Sequence, residues 1–192
     1  MSGHPFPFEK AARLDSEERR ASQPAGPLVD LIASFGPRRV LEVGVGTGYF
    51  ALPLARALPR AEVVGADIEP RIMEIARERA DKAGLSLRLL ETTAERLEVE
   101  DQGFDAVLLA NLYHELPGRP AYLGEIHRAL RPGGHLVICD WAPQEGDPDA
   151  GPPNDHRVAR ETAEAELRAA GFDGVANHEL YPGFYTLVAA RP

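Results

Sequence analysis

The sequence predicts an α/β fold: a mostly parallel, doubly wound sheet with helices on both faces. Three observations lead there. Short apolar runs alternate with amphipathic helical stretches along most of the chain. The runs are nearly continuous rather than alternating, as strands buried on both faces are. A glycine-rich turn joins the first run to the helix after it, which is how an open sheet builds a ligand crevice at the carboxyl ends of its strands.

Each element has its own signal. Residues 28–35 read as a short helix. Arg39–Val43 (RVLEV) is an apolar run bounded by Gly and Pro, hence the first strand. Residues 49–58 are helical, with Pro53 expected to kink them because its ring removes a backbone donor. Residues 62–66 form a second strand. Pro70–Ala83 is a strongly amphipathic helix, with Ile72, Ile75, Ala76, Arg79, Ala80 and Ala83 at helical spacing and Gly84 as its stop. Strands follow at 86–90 and at Phe104–Ala110, then a helix at 120–130. Pro132-Gly133-Gly134 reads as a turn before a fifth strand at 135–140. A helix at 163–170 ends at Gly171. Strands at 174–179 and Phe184–Ala190 have no helix between them, only Tyr181-Pro182-Gly183, so they should pair as an antiparallel hairpin at the sheet edge. Tyr181 and Tyr185 are read there as sheet-edge residues.

Two stretches stand apart. Residues 1–24 carry Pro5, Pro7 and Pro24 around a charged segment in which Leu14 is the one large apolar residue between Glu9 and Arg20. They are either a frayed arm or a cap folded over a site, ahead of a single domain at 25–192. Residues 142–155 are rich in Pro, Gly and Asp, a length of loop that is either functional or disordered.

Composition narrows the function. The 192 residues fit one domain, and acids outnumber bases 30 to 21 for a net charge of −9. That balance counts against nucleic acid and anionic membranes, which attract basic faces. No apolar stretch approaches the roughly 20 residues of a bilayer span, and no secretory signal is visible, so a cytoplasmic protein is expected. The single cysteine, Cys139, excludes an internal disulfide framework or a cysteine metal cluster and reads as a small core residue. No metal is expected.

The chemistry sits in Glu42-Val43-Gly44-Val45-Gly46-Thr47-Gly48. Glycine is needed where the backbone turns with positive φ and where a ligand must approach the main chain with no Cβ in the way. Asp67 ends the second strand 23 residues beyond Gly44. It can accept from both hydroxyls of a ribose, or it can cap the helix ahead of Glu69. Dinucleotide enzymes carry G-x-G-x-x-G, with a pyrophosphate on the helix N-terminus. Here the third glycine comes one residue early, and Glu42 stands two places before the first. A carboxylate beside the loop repels a pyrophosphate and suits a ligand with an ammonium and a sulfonium.

Taken together, LEVGVGTG (41–48), GADIEP (65–70), ETTAERL (91–97), FDAVLLANLYHEL (104–116) and ALRPGGHLVICD (129–140) resemble the class I S-adenosylmethionine-dependent methyltransferases. The quinone-methylase-like branch, which acts on small molecules, is the most similar; its Gly-Pro-Pro-x-x-His-Arg loop resembles Gly151 to Arg157. The resemblance implies a Rossmann-like sheet of seven strands, order 3-2-1-4-5-7-6, with the last strand antiparallel. It implies S-adenosyl-L-methionine as cofactor. By the same resemblance Gly44, Gly46 and Gly48 contact the methionine part, and Glu42 orients that loop. Asp67 takes the ribose and Ile68 packs against adenine. Ala94 and Glu95 read adenine's edge, although Thr92-Thr93 replace the Gly-Asp of many relatives there. The backbone of Asn111 helps hold the amino-acid group.

Candidates on the acceptor side are fewer. Tyr113 and His114 follow the fourth strand, where the pocket should open. His114 is either a general base or a residue that orients the loop beside Glu115. His114-Glu115-Leu116-Pro117 is not a zinc helix, since the second His is absent and Pro117 breaks it. His156 is a second catalytic candidate. Arg157 either clamps an anionic substrate or fixes its loop with Asp155. Asp140 and Trp141 should line the pocket, Trp141 as a packed wall. The expected partner is a small molecule, with a homodimer left open. Two alternatives stand beside methyl transfer: an NAD(P)-dependent oxidoreductase, disfavoured by the glycine spacing and the lack of an obvious Tyr-x-x-x-Lys pair, and a catalytically silent S-adenosylmethionine-binding protein.

Overall fold

The computed structural model describes residues 8–145 and 150–192. Pro5 and Pro7, and residues 146–149 of the Pro/Gly/Asp-rich stretch, lie outside the described residues. The strands are β1 (Arg39–Val43), β2 (Glu62–Asp67), β3 (Arg88–Glu91), β4 (Phe104–Ala110), β5 (Leu130–Trp141), β6 (Asp173–Asn177) and β7 (Phe184–Ala190). The helices are α1 (Glu17–Ser22), α2 (Ala25–Ser34), α3 (Ala51–Ala57), α4 (Pro70–Ala83), α5 (Arg119–Ala129) and α6 (Arg160–Ala169), with short 3-10 turns at Phe8–Asp15, Tyr113–Glu115 and Asn154–His156.

The seven strands form one sheet in the order β3-β2-β1-β4-β5-β7-β6, as the resemblance implied. β1 lies parallel to β2 and β4, and β4 parallel to β5. β7 runs antiparallel to both β5 and β6, so the last two strands are the expected hairpin. All seven residues of β4 are buried, and its sequence is apolar but for Asp105, whose carboxylate accepts from the backbone N–H groups of Arg38 and Arg39. Two cores follow, one per face: Leu41, Val43, Leu109 and Ile138 on one side, Val40, Leu108, Val137 and Cys139 on the other. The alternation along each strand splits neighbours between them.

α4 has the predicted bounds. Glu69 caps its first turn through Arg71 N–H, and Gly84 ends it at φ +63°. The cap role weighed for Asp67 therefore belongs to Glu69. Two expectations change. Pro53 does not kink α3, because the helix begins at Ala51 and Pro53 falls in its first turn, where the missing N–H has no intrahelical acceptor. Pro132 to Gly134 do not stand outside β5. They form an irregularity within it, where the pairing of β5 with β4 jumps from Phe104 opposite Leu130 to Ala106 opposite His135.

The arm is folded onto the domain. Tyr181, buried rather than at an open edge, donates its hydroxyl to the Pro24 carbonyl at 2.8 Å and accepts from Leu28 N–H at 3.1 Å. Asp15 pairs with Arg79 of α4 at 2.7 Å. Gln23 is fully buried and exchanges amide hydrogen bonds with Asn111 at 2.8 and 3.3 Å.

Candidate active site

A cavity of about 490 Å³ opens at the carboxyl ends of β1, β2, β4 and β5. β1 sits between β2 and β4, so the chain leaves it in opposite lateral directions, which is the switch point where α/β sheets hold ligands. Its floor is the glycine turn. Gly44 and Gly46 adopt φ of +73° and +51°. Ala66 O accepts from both Gly44 N–H and Val45 N–H, at 2.8 and 3.0 Å, which ties the turn to the end of β2. Asp67 completes the tie. Its Oδ2 accepts from Gly46 N–H at 2.8 Å and its Oδ1 from Glu69 N–H at 3.1 Å. Burial lifts its pKa, and the backbone donors partly offset this.

Glu42 faces the same cavity from β1 and is 2% exposed. Burial pushes its carboxyl up to about 8; Arg19 opposes the rise and Asp67 adds to it. Its Oε2 has no hydrogen-bond partner, nor do Arg19 Nε and Thr47 Oγ1. All three residues line the cavity, so buried polar atoms without partners gather where a polar ligand would satisfy them. Ile68, Ala94, Asn111 and Trp141 also line it.

On the other side, the 3-10 turn after β4 presents His114 to the cavity. Its Nδ1 lies 2.8 Å from Asp140 Oδ1, and its backbone N–H is donated to Asp140 Oδ2 at 3.0 Å. Asp140 is fully buried at the end of β5. Burial pulls the imidazole pKa down, but the Asp140 bond and charge outweigh it and the value ends above the ordinary histidine range. Around this pair stand Glu115, Leu116, Pro117, Trp141, Pro152 and Phe184. Trp141 is the expected packed wall, tilted against Phe184 with ring centroids 4.2 Å apart.

Five predicted site residues are placed elsewhere. Gly48 does not reach the cavity wall; a Cβ there would lie 3.1 Å from Leu52 and 3.3 Å from Ala76, so its absence lets the turn pack on α3 and α4. Tyr113 is wholly buried on the opposite side of its turn, its hydroxyl donated to Glu166, which Arg119 also grips at 2.8 and 3.0 Å. Glu95 points to solvent outside the wall, and its N–H is spent on Thr93 Oγ1. His156 is exposed and outside the wall. Arg157 is buried and donates to the carbonyls of Pro152, Ala142 and Ala150, so of its two readings the loop-fixing one holds. Sequence reasoning missed Leu14, Arg19 and Gln23 of the arm, which line the cavity. Gln23 meets Asn111 across 88 residues, and no local pattern signals such a pair.

The fold, the cradle and the acid at the end of β2 are similar to those of class I S-adenosylmethionine-dependent methyltransferases, and the comparisons point the same way. Residues 40–134 match a family model described as a methyltransferase domain. The chain is 43% identical over 115 residues to a demethylmenaquinone methyltransferase of Thermus thermophilus, covering 60% of this chain and 52% of the relative. It is 39% identical over 101 residues to a ubiquinone biosynthesis O-methyltransferase of Cereibacter sphaeroides, covering 53% and 40%. The chain spans about half the length of the curated relatives it matches. Among solved structures, a SAM-dependent methyltransferase from Aquifex aeolicus superposes with a TM-score of 0.87 at 24% identity, over 97% of this chain and 100% of that one, a likeness of fold. Nothing in these matches supports the oxidoreductase alternative.

Proposed function

We propose that the chain transfers the methyl group of S-adenosylmethionine to a small molecule bearing an acidic hydroxyl, such as a phenol or enol. The observation that carries the reading is the buried Glu42 carboxyl, its Oε2 without a partner, beside a glycine turn that Asp67 anchors. Asp67 and Ile68 hold the nucleoside, Gly44 and Gly46 admit the methionine part against the main chain, and Glu42 receives its ammonium. The bound cofactor supplies an electrophilic methyl on a positive sulfonium, which leaves as a neutral thioether.

The protein supplies position and a proton acceptor. His114 Nδ1 donates to Asp140 Oδ1, and Nε2 carries the free lone pair. The acceptor hydroxyl gives its proton to Nε2, which readies its oxygen for the methyl group that a bound cofactor would supply. The resulting imidazolium is held by the Asp140 carboxylate. The aromatic and proline wall excludes water and fits a planar acceptor. Relatives named for demethylmenaquinone and ubiquinone methylation support a small-molecule acceptor. The same reading expects a cytoplasmic protein that binds no nucleic acid; the net charge of −9 supports the second expectation, and no helix of the described residues is long and apolar enough to cross a membrane.

The test is calorimetry with S-adenosylhomocysteine and with NAD at equal concentration, followed by transfer of labelled methyl to a panel of phenols, amines and small acids. Binding of the first ligand alone and label on the phenols is expected. Binding of NAD alone, or cofactor binding with no methylated product from the panel, defeats the reading.

A further inference from the structure

The described wall of the cavity carries four carboxylates, Glu18, Glu42, Asp67 and Glu115, and a single guanidinium, Arg19 of α1. Arg19 is placed with care. Its Nη1 donates to the Leu14 carbonyl at 2.8 Å, and its backbone N–H donates to Ser16 Oγ, which caps α1. Its guanidinium lies over the Tyr49 ring, 4.5 Å from the centroid, just beyond the glycine turn. Tyr49 in turn donates its hydroxyl to the Gln23 carbonyl at 2.9 Å, which locks the platform to the arm. Yet Arg19 Nε is buried without a partner. Glu42 is the acid that acts on it most strongly, but neither group satisfies the other by a hydrogen bond. A cation and an acid, each with one buried atom left unpartnered (Arg19 Nε and Glu42 Oε2) and sharing one cavity beside the glycine turn, match a zwitterion.

We infer that Arg19 is the carboxylate clamp of the cofactor's amino-acid end, so that the N-terminal arm supplies the anion-binding half of a subsite whose ammonium-binding half is Glu42. The inference rests on the proposed cofactor reading. Arg19 touches the cofactor's carboxylate and not the transferred methyl. Gln23, tied to Asn111 at the end of β4, sets the arm at the right height for it.

The test compares two ligands that share the nucleoside and the sulfur but differ in the amino-acid end: S-adenosylhomocysteine and methylthioadenosine. Calorimetry on wild type, Arg19→Ala and Arg19→Lys reads binding without turnover. Arg19→Ala should weaken S-adenosylhomocysteine by about 10- to 100-fold, the scale of a charge-assisted hydrogen bond. It should leave methylthioadenosine within about twofold. Arg19→Lys should recover part of the loss, because it keeps the charge without the fork. Thermal melts check that both variants remain folded. Equal weakening of the two ligands would mean that Arg19 only seats the arm, and no weakening of either would mean that it makes no contact; each overturns the inference while leaving the cofactor reading in place. Wild type that binds neither ligand overturns both.

Discussion

His114 Nδ1 stands 2.8 Å from Asp140 Oδ1, while the backbone N–H of the same histidine is donated to the other oxygen of that carboxylate at 3.0 Å. The double attachment fixes the ring's tautomer and its angle. It also raises the pKa, so at acid pH the imidazole is charged and cannot accept a proton. Turnover of a phenolic acceptor should rise with pH through an inflection above the ordinary histidine value of about 6.5. Asp140→Asn should move that inflection down, because the larger of the two charges that favour the imidazolium is gone and only Glu115, 3.7 Å from Nε2, remains. His114→Ala should slow turnover by about 100-fold or more with cofactor affinity unchanged. A flat pH–rate profile for a phenol acceptor would remove His114 from the chemistry.

Glu42 is pushed up to about 8 by burial, against the pull of Arg19, so at neutral pH it is mostly protonated. An ammonium beside it favours the carboxylate. Binding should therefore expel close to one proton at neutral pH, and affinity for S-adenosylhomocysteine should rise as pH climbs from about 6 to 8. Calorimetry in two buffers of different ionisation enthalpy measures the count. Glu42→Gln should bring it near zero.

Asp67 holds Gly46 N–H and Glu69 N–H with its two oxygens, at 2.8 and 3.1 Å. Asp67→Ala removes the anchor of the turn together with the ribose acceptor. Cofactor affinity should fall by about 2 kcal/mol, from the loss of charge-assisted hydrogen bonds. Unchanged affinity by calorimetry would free the ribose from this residue.

Arg157 satisfies three carbonyls of its own loop and lies over Trp141, 5.1 Å from the ring centroid. Gly151 presses on that ring from the same loop, at φ +82° and with room for no Cβ, since one would come within 2.7 Å of the indole. Arg157→Met should leave those carbonyls unpaired and lower the melting temperature by about 5 °C, while affinity for S-adenosylhomocysteine stays within about twofold. Differential scanning calorimetry and titration separate the two effects. A loss of cofactor affinity as large as that of Asp67→Ala would mean that the loop reaches the nucleoside.

The glycine turn and the acid after β2 are legible because their signals are local, whereas Gly48 and Glu95 fall outside the wall. Gly44, Gly46 and Asp67 are set by where β1 and β2 end and by backbone angles that only glycine adopts freely. The acceptor side was read less well. Tyr113 and His114 are adjacent, and nothing in their order says which of them a 3-10 turn will aim at the cavity and which at Glu166. Arg157 and His156 look equally chemical as letters; the distances separate a loop brace from an exposed imidazole.

The sequence by itself determined the strand-and-helix order, the antiparallel hairpin at the end, the cradle after β1 and the acid after β2, because periodicity, glycine and turn chemistry act over a few residues. Only the tertiary structure decided that the arm closes on the cavity, that Arg19 shares a chamber with Glu42 and that Asp140 stands behind His114. Those pairs join residues far apart in the chain, and their geometry is fixed by how the strands stack side by side and how the arm docks on them. No spacing in the sequence encodes it.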